Sequence, residues 1–243
     1  MRTLASLAAI LAAAALCVPP AAAQDVPEGY VLVKVTKRVT RHVVTPDQKI
    51  AGQTVAAFGP FRVLEDNRAA LVGATDTRTP VQFAAMLTAY PAIDTLEFVD
   101  CPGTFDDHAN LRLGRMIRAH GIAVVVPDGG SVRSGGVELA LAGRSLSIAD
   151  GAEFAVHAWE DDRGTGASGY AADSPEHAKY LAYYRDMGMD AAQARAFYAM
   201  TNAVPFERAR WLNGAEMRGW VSYASAPVPA IAVRPDPVAA GML

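Results

Sequence analysis

Three short stretches of this sequence hold residue types that together could carry out acyl transfer. Gly129-Gly130-Ser131-Val132-Arg133-Ser134-Gly135-Gly136 sets Ser134 ahead of two glycines that leave its hydroxyl uncrowded. A serine at the first turn of a helix is either an N-cap or a nucleophile whose developing oxyanion is held by nearby backbone N–H groups. Phe154-Ala155-Val156-His157 ends an apolar run on a histidine, which is either a hydrogen-bonded packing residue or a general base. Asp100-Cys101-Pro102-Gly103-Thr104 holds a Pro-Gly turn, either a plain β-turn or a place where the backbone comes close to a ligand. Each is bland alone. In this order they supply what a Ser–His hydrolase needs: a turn with spare N–H groups, a glycine-flanked serine and a strand-end histidine.

Other polar residues point elsewhere. Asp106-Asp107-His108 has metal-ligating types, but neighbours at a helix start face different directions and Asp is favoured there by the helix dipole, so no metal is expected. Cys101 is a second nucleophile type, with no base placed for it by pattern. His177 shares a helix stripe with Tyr180, Tyr183 and Tyr184, a spacing of packing or subunit contact. Glu160-Asp161-Asp162 and the segment from Gly164 to Gly169 read as a solvated loop, or a lid beside His157. Arg133 either binds an anionic group or lies in solvent.

These groups need a scaffold, and the hydrophobic pattern predicts one. Short apolar runs at Ala69–Gly73, Thr95–Val99, Ile122–Val126, Ser145–Ile148 and Glu153–Val156 read as strands. Helical stretches lie between and after them: Thr79–Ala89, with Pro80 in its first turn, Asn110–His120, ended by Gly121, Ser134–Ala142, Pro175–Met187 and Asp190–Met200. Repeated β-α order with continuous apolar strands predicts an α/β fold with a largely parallel sheet. In such sheets active groups gather at the carboxyl ends of strands, where all three stretches lie. Tyr30–Val44 alternates as a strand of an N-terminal β portion, Lys49–Arg62 reads as Gly-punctuated turns, and the proline-spaced residues after 224 as an extended tail.

In order and spacing, residues 69–220 resemble the ClpP/crotonase superfamily, and within it the secreted, predicted periplasmic Clp-like serine hydrolases. Asp100-Cys101-Pro102-Gly103-Thr104 stands where that family has a Ser-Pro-Gly-Gly turn, Ser134-Gly135-Gly136 where it has its nucleophile, and Phe154-Ala155-Val156-His157 where a strand ends on the catalytic histidine. Trp211-Leu212-Asn213-Gly214-Ala215-Glu216-Met217 before Trp220-Val221 resembles the family's closing helix and strand. The resemblance implies a β-α-β superhelical fold with Ser134 as nucleophile and His157 as base. It also implies an oxyanion hole from the N–H groups of Gly135 and of Thr104 or Gly103. The chain departs from the pattern twice: Thr104 replaces a glycine, and the family's aspartate falls within Thr201-Asn202-Ala203-Val204-Pro205, where Asn202 is the substitute that would orient His157. A non-catalytic binding or scaffold protein of the same fold is the alternative. The resemblance further implies a peptide or other acyl substrate, no cofactor and a homo-oligomer; an acyl-CoA substrate is set aside for an exported chain.

Export is read from the first 23 residues, where Met1-Arg2, an apolar block from Leu4 to Val18, and Ala21-Ala22-Ala23 have the form of a cleaved signal peptide. The block is too short to span a membrane, so a periplasmic or secreted protein is expected, with Cys101 its one remaining cysteine. The chain of 243 residues is 51% hydrophobic, which excludes disorder, and its net charge of −3 excludes a nucleic-acid binder that displaces phosphate counterions with clustered Lys and Arg. The domains expected are residues 24–68 as the N-terminal portion, 69–223 as the Clp-like domain and 224–243 as the tail.

Overall fold

The computed structural model describes residues 50–65 and 67–221. The export segment, the expected strand Tyr30–Val44 and the proline-spaced tail lie outside them. The turns expected over 49–62 are instead a hairpin: Thr54–Phe58 (β1) and Phe61–Leu64 (β2) pair antiparallel across Gly59-Pro60. Gly59 takes the left-handed backbone the reversal requires, with φ +57. Glycines at both ends look like turns, and strands of four and five residues are too short to show their period.

From here the alternation runs largely as the pattern predicts. Arg68–Val72 (β3), Thr79–Ala89 (α1), Thr95–Cys101 (β4), Asp107–Ala119 (α2) and Ala123–Val126 (β5) come first. Ser131–Arg133 (β6), Gly135–Ala140 (α3), Leu146–Ile148 (β7) and Glu153–Val156 (β8) follow, then Pro175–Asp186 (α4) and Ala191–Thr201 (α5). The last elements are Arg210–Asn213 (β9) and Gly214–Val221 (α6). Two of these differ from expectation. Ser131, read as the end of a turn, opens β6, whose three residues are too few to carry a pattern. The closing elements come strand first: Arg210–Asn213 pairs with β8, and Trp220-Val221 is helical. A reciprocal cap sets that order, with Glu216 N donating to Asn213 Oδ1 (2.9 Å) and Asn213 N to Glu216 Oε2 (2.8 Å).

The sheet runs β1-β2-β3-β4-β6-β8-β9, with β5 on β4 and β7 on β5. Its interior pairings β3-β4, β4-β5, β4-β6, β5-β7 and β6-β8 are parallel, so this is an α/β fold with a mostly parallel sheet. β4 divides itself between two neighbours: Thr95, Leu96 and Glu97 pair with β5, and Asp100 and Cys101 with β6. The chain between those neighbours must therefore rise along β4, which brings the start of α3 to the carboxyl end of β4.

The core lies between this sheet and the helices. α2 starts on the Asp106 cap, whose carboxylate accepts from Ala109 N (2.9 Å), and turns Leu111, Leu113 and Ile117 inward. α4 and α5 supply Tyr183, Tyr184 and Phe197, all essentially without exposure. Burying a large apolar side chain contributes roughly 1.5–3 kcal/mol, so these helices are held by packing more than by propensity.

Candidate active site

The Pro102-Gly103 turn leaves β4 and is pinned by Thr75 N donating to Gly103 O (3.0 Å) and Phe105 N to Thr75 O (2.8 Å). Gly103 has φ +132, and a Cβ there would come within 3.0 Å of Ser134 Cβ. Only glycine lets the turn lie against the serine. Thr104 keeps an ordinary negative φ, since Gly103 carries the unusual conformation. A Cβ on Gly135 would meet Thr104 Cγ2 at 2.6 Å, so the turn and the start of α3 interlock.

Ser134 joins β6 directly to α3. Its N–H donates to Ala155 O on β8 (2.8 Å) and its carbonyl accepts from Val137 N (2.9 Å). Between those anchors its backbone takes φ +49 and ψ −131, a left-handed region where a side chain costs on the order of 1–3 kcal/mol. The hydroxyl caps nothing: α3 has no side-chain cap bond. Behind it, Asn110 Nδ2 donates to Gly135 O (2.7 Å) and Thr75 Oγ1 to Asn110 Oδ1 (2.9 Å), both side chains buried. The N–H groups of Thr104 and Gly135 donate to no backbone carbonyl of the described residues.

Cys101 lies under this junction, its Sγ 2.6 Å from where a Gly136 Cβ would stand. Burial pushes its thiol up to about 12, against a weaker opposing hydrogen bond from the Gly103 backbone. The thiolate is thus disfavoured, and the second candidate nucleophile is a packing residue. Arg133 pairs with Asp100 at 2.7 Å across the sheet rather than lying in solvent.

His157 follows β8, half-buried, with Phe206 edge-on to its ring at 4.9 Å between centroids. Its Nδ1 lies 2.9 Å from Ala158 O. A carbonyl can only accept, so Nδ1 carries the proton and Nε2 is left as the acceptor, the tautomer a general base requires. Asn202 does not orient this ring. Its Nδ2 donates to Tyr198 O (2.8 Å) and Thr201 Oγ1 (3.2 Å). The reason is position: Asn202 is the C-cap of α5, and its amide nitrogen finds the last carbonyls of its own helix first. No hydrogen bond joins Ser134 to His157 in this structure.

Ser134, Gly135, His157 and Asn202 all line one cavity, together with Asp107, Glu138, Trp159, Tyr180, Tyr184 and Tyr198. Its floor is a polar network. Tyr180 donates to Asp107, Tyr184 to Glu138 Oε1 (2.7 Å), Tyr183 to Glu138 O (2.6 Å) and Trp159 Nε1 to Tyr198 OH (2.7 Å). Asp106 caps α2 while Asp107 meets Tyr180, so the two acids diverge. His177 Nδ1 lies 2.6 Å from Tyr198 OH, and Tyr180, Tyr183 and Tyr184 are buried, so the tyrosine stripe packs inward. The loop after His157 is tied internally by Asp161, which accepts from Thr165 N (2.7 Å) and Tyr170 OH (2.5 Å).

Glu138 is the residue that sequence reasoning passed over. Burial is the largest influence on its carboxyl and pushes it up to about 7, with the Tyr184 hydrogen bond opposing. A usable signal existed: residues four apart on a helix share a face, which puts Glu138 on the side of Ser134.

No family model and no curated protein sequence matches this chain. Among solved structures it is similar to a serine-to-alanine mutant of the 1510-N membrane-bound stomatin-specific protease, with 17% identity over 62% of this chain and 74% of that one, TM-score 0.42. It is also similar to a lysine-to-alanine mutant of that protease in complex with a substrate peptide, with 18% identity, 62% and 72% coverage and TM-score 0.41. The 1510-N membrane protease specific for a stomatin homolog from Pyrococcus horikoshii gives 18%, 64% and 69%, and 0.41.

Two measurements follow from the geometry. Ser134→Gly relieves the backbone that Ser134→Ala keeps strained, so the glycine variant is expected to be more stable than the alanine variant by about 1 kcal/mol in denaturant unfolding; equal stability would count against strain. The fold disfavours the charged form of Glu138, so its contribution is favourable below the ordinary glutamate value of 4.5 and is lost as pH rises through about 7. Glu138→Gln removes this dependence, and the difference in stability between variant and wild type should move in the variant's favour by on the order of 2–3 kcal/mol from pH 4 to pH 8. A constant difference across that range would refute the assignment.

Proposed function

We propose that this protein is an exported serine hydrolase of the ClpP/crotonase-like superfamily, acting on peptide or related acyl bonds, with Ser134 as nucleophile and His157 as general base. The observation that carries the reading is Ser134 itself. A non-glycine residue at φ +49 on a direct strand-to-helix turn is the geometry by which a strained serine presents its hydroxyl above the end of a parallel sheet.

The chemistry follows from the groups around it. Ser134 Oγ attacks the acyl carbon while His157 Nε2 takes its proton, and the negative oxygen that forms is held by the N–H groups of Thr104 and Gly135. Collapse of this intermediate breaks the bond to the leaving amine or alcohol, which takes the proton from His157 and leaves an ester on Ser134. Water, giving a proton to His157, then attacks that ester; its collapse releases a carboxylic acid and returns the proton to Ser134. Ala158 O stands in for the carboxylate of a triad in holding the ring tautomer, with less charge than an aspartate would bring. In the absence of substrate such bonds are often open, which accommodates a Ser134 hydroxyl not yet bonded to His157. The same open pair, with no carboxylate on the ring, favours the second reading, a scaffold that keeps the fold without the reaction.

A fluorophosphonate probe separates the two. Wild type is expected to label at Ser134, Ser134→Ala not at all, and His157→Ala some 10²–10⁴-fold more slowly. Labelling that survives Ser134→Ala would sink the nucleophile, and an unlabelled wild type would leave the scaffold. For export, the intact mass of the protein expressed in a bacterium with its own leader should correspond to a chain beginning at Gln24; retention of Met1 in the cytoplasm would overturn that part.

A further inference from the structure

Two N–H groups can hold one oxygen only if the segments that carry them keep a fixed distance and direction, and here those segments are separate. Thr104 belongs to the turn after β4, Gly135 to the start of α3. Thr75, in the connection between β3 and α1, reaches both. Its main chain holds the turn on either side of Thr104, its N–H donating to Gly103 O (3.0 Å) and its carbonyl accepting from Phe105 N (2.8 Å). Its side chain works towards the other segment: Oγ1 donates to Asn110 Oδ1 (2.9 Å), and Asn110 Nδ2 donates to Gly135 O (2.7 Å).

The partners decide the directions of these bonds. The Gly135 carbonyl can only accept, so the amide atom facing it is Nδ2; Oδ1 then faces Thr75, whose hydroxyl must donate. Thr75 and Asn110 are 1% and 2% exposed, so water does not compete for either bond. Asn110 stands early in α2 between the buried Ala109 and Leu111, where asparagine is a poor helix former and a buried polar side chain is costly unless bonded. What the amide adds is direction, because a planar group bonded at both ends leaves little freedom to the residues it joins. A Cβ on Gly135 would stand 3.0 Å from Asn110 Nδ2, so the amide lies directly against the backbone it steadies.

We propose that Thr75 and Asn110 are positioning residues, a buried tie that sets the Thr104 and Gly135 N–H groups at the spacing in which both meet the oxyanion formed on Ser134. The inference rests on the hydrolase reading of Ser134 and adds the residues that build its oxyanion hole. Neither residue touches the reacting atoms. Cutting the tie lets the two donors drift apart, and a misplacement on the order of 1 Å costs about 10²-fold in rate.

The test is the rate at which a fluorophosphonate labels Ser134, followed over probe concentration. In this reaction Ser134 Oγ forms a bond to phosphorus, fluoride leaves, His157 takes the hydroxyl proton, and the phosphoryl oxygen occupies the place of the oxyanion. Thr75→Val keeps the volume and the main-chain bonds without the hydroxyl, Thr75→Ser keeps the hydroxyl, and Asn110→Leu removes the amide. At a temperature where unfolding curves show each protein folded, Thr75→Val and Asn110→Leu are expected to lower the saturating rate about 10- to 100-fold and leave the half-saturating concentration within about twofold. Thr75→Ser should stay within about threefold of wild type, and the double variant should be no slower than the slower single one, since both act through one tie. A merely structural role would lower the unfolding midpoint and leave the saturating rate of the folded protein unchanged, which would overturn the proposal. So would a loss confined to the half-saturating concentration, or a Thr75→Ser variant as slow as Thr75→Val. If Asn110→Leu does not fold, the two Thr75 variants decide alone. Those outcomes leave Ser134 as nucleophile, whereas a wild type that the probe does not label would overturn the hydrolase reading, and this inference with it.

Discussion

The seven-residue strand β4 gives its first half to β5 and its second half to β6, and the placement of the site depends on that division. A strand shared in this way forces the chain to climb from one neighbour to the next. Cys101 therefore ends β4 directly beneath Gly136, and the Pro102-Gly103 turn comes to rest against Ser134. A Cβ on Gly136 would stand only 2.6 Å from Cys101 Sγ, and Gly103 combines a tight 3.0 Å approach to Ser134 with a φ of +132, so glycine at both positions follows from how closely β4 and its turn approach the start of α3. The backbone of Ser134 is strained for the same reason. Pairing of β6 with β8 fixes the residue before it, α3 starts at once after it, and no intervening loop is left to absorb the change of direction.

Around that junction the polar groups fall into two sets. The rear set is fully engaged: Thr75, Asn110 and the Gly135 carbonyl form one chain, and Tyr180, Tyr183 and Tyr184 satisfy Asp107 and both ends of Glu138. Such networks rigidify what they surround. The front set keeps capacity in reserve: the N–H groups of Thr104 and Gly135 and the free ring nitrogen of His157. A rigid rear with an unspent front is the arrangement a preorganised site needs, because groups that meet a reacting molecule then require little reorganisation.

The electrostatics of the cavity are governed by desolvation. Burial pushes both Glu138, in the cavity, and Cys101, beneath the strand-to-helix junction, towards their neutral forms. His157 meets a carbonyl rather than a carboxylate. A carbonyl dipole of fixed direction still selects the ring tautomer, though it would offset less of any positive charge on the ring than a carboxylate.

From its sequence the chain already discloses the α/β class and most helix and strand positions, because local periodicity and turn chemistry act over a few neighbouring residues, and it singles out Gly103, Ser134 and His157 as candidates, which the fold places at strand ends. The β1-β2 hairpin and the strand order at the end escape that reading: strands of three to five residues carry no period, and a cap such as Asn213–Glu216 is decisive only once β8 is available to pair with β9. Asn202 and Glu138 mark the same boundary at the site. The resemblance puts the acid that would orient His157 within residues 201–205, where Asn202 stands, but sequence cannot say that the amide nitrogen will be taken by α5, nor that the Ala158 carbonyl will meet His157 instead. Residue types and local spacing determined which chemistry was on offer; the division of β4 and the competition for each hydrogen-bond partner, both long-range matters of geometry, decided which of the candidate atoms were left without a partner among the described residues.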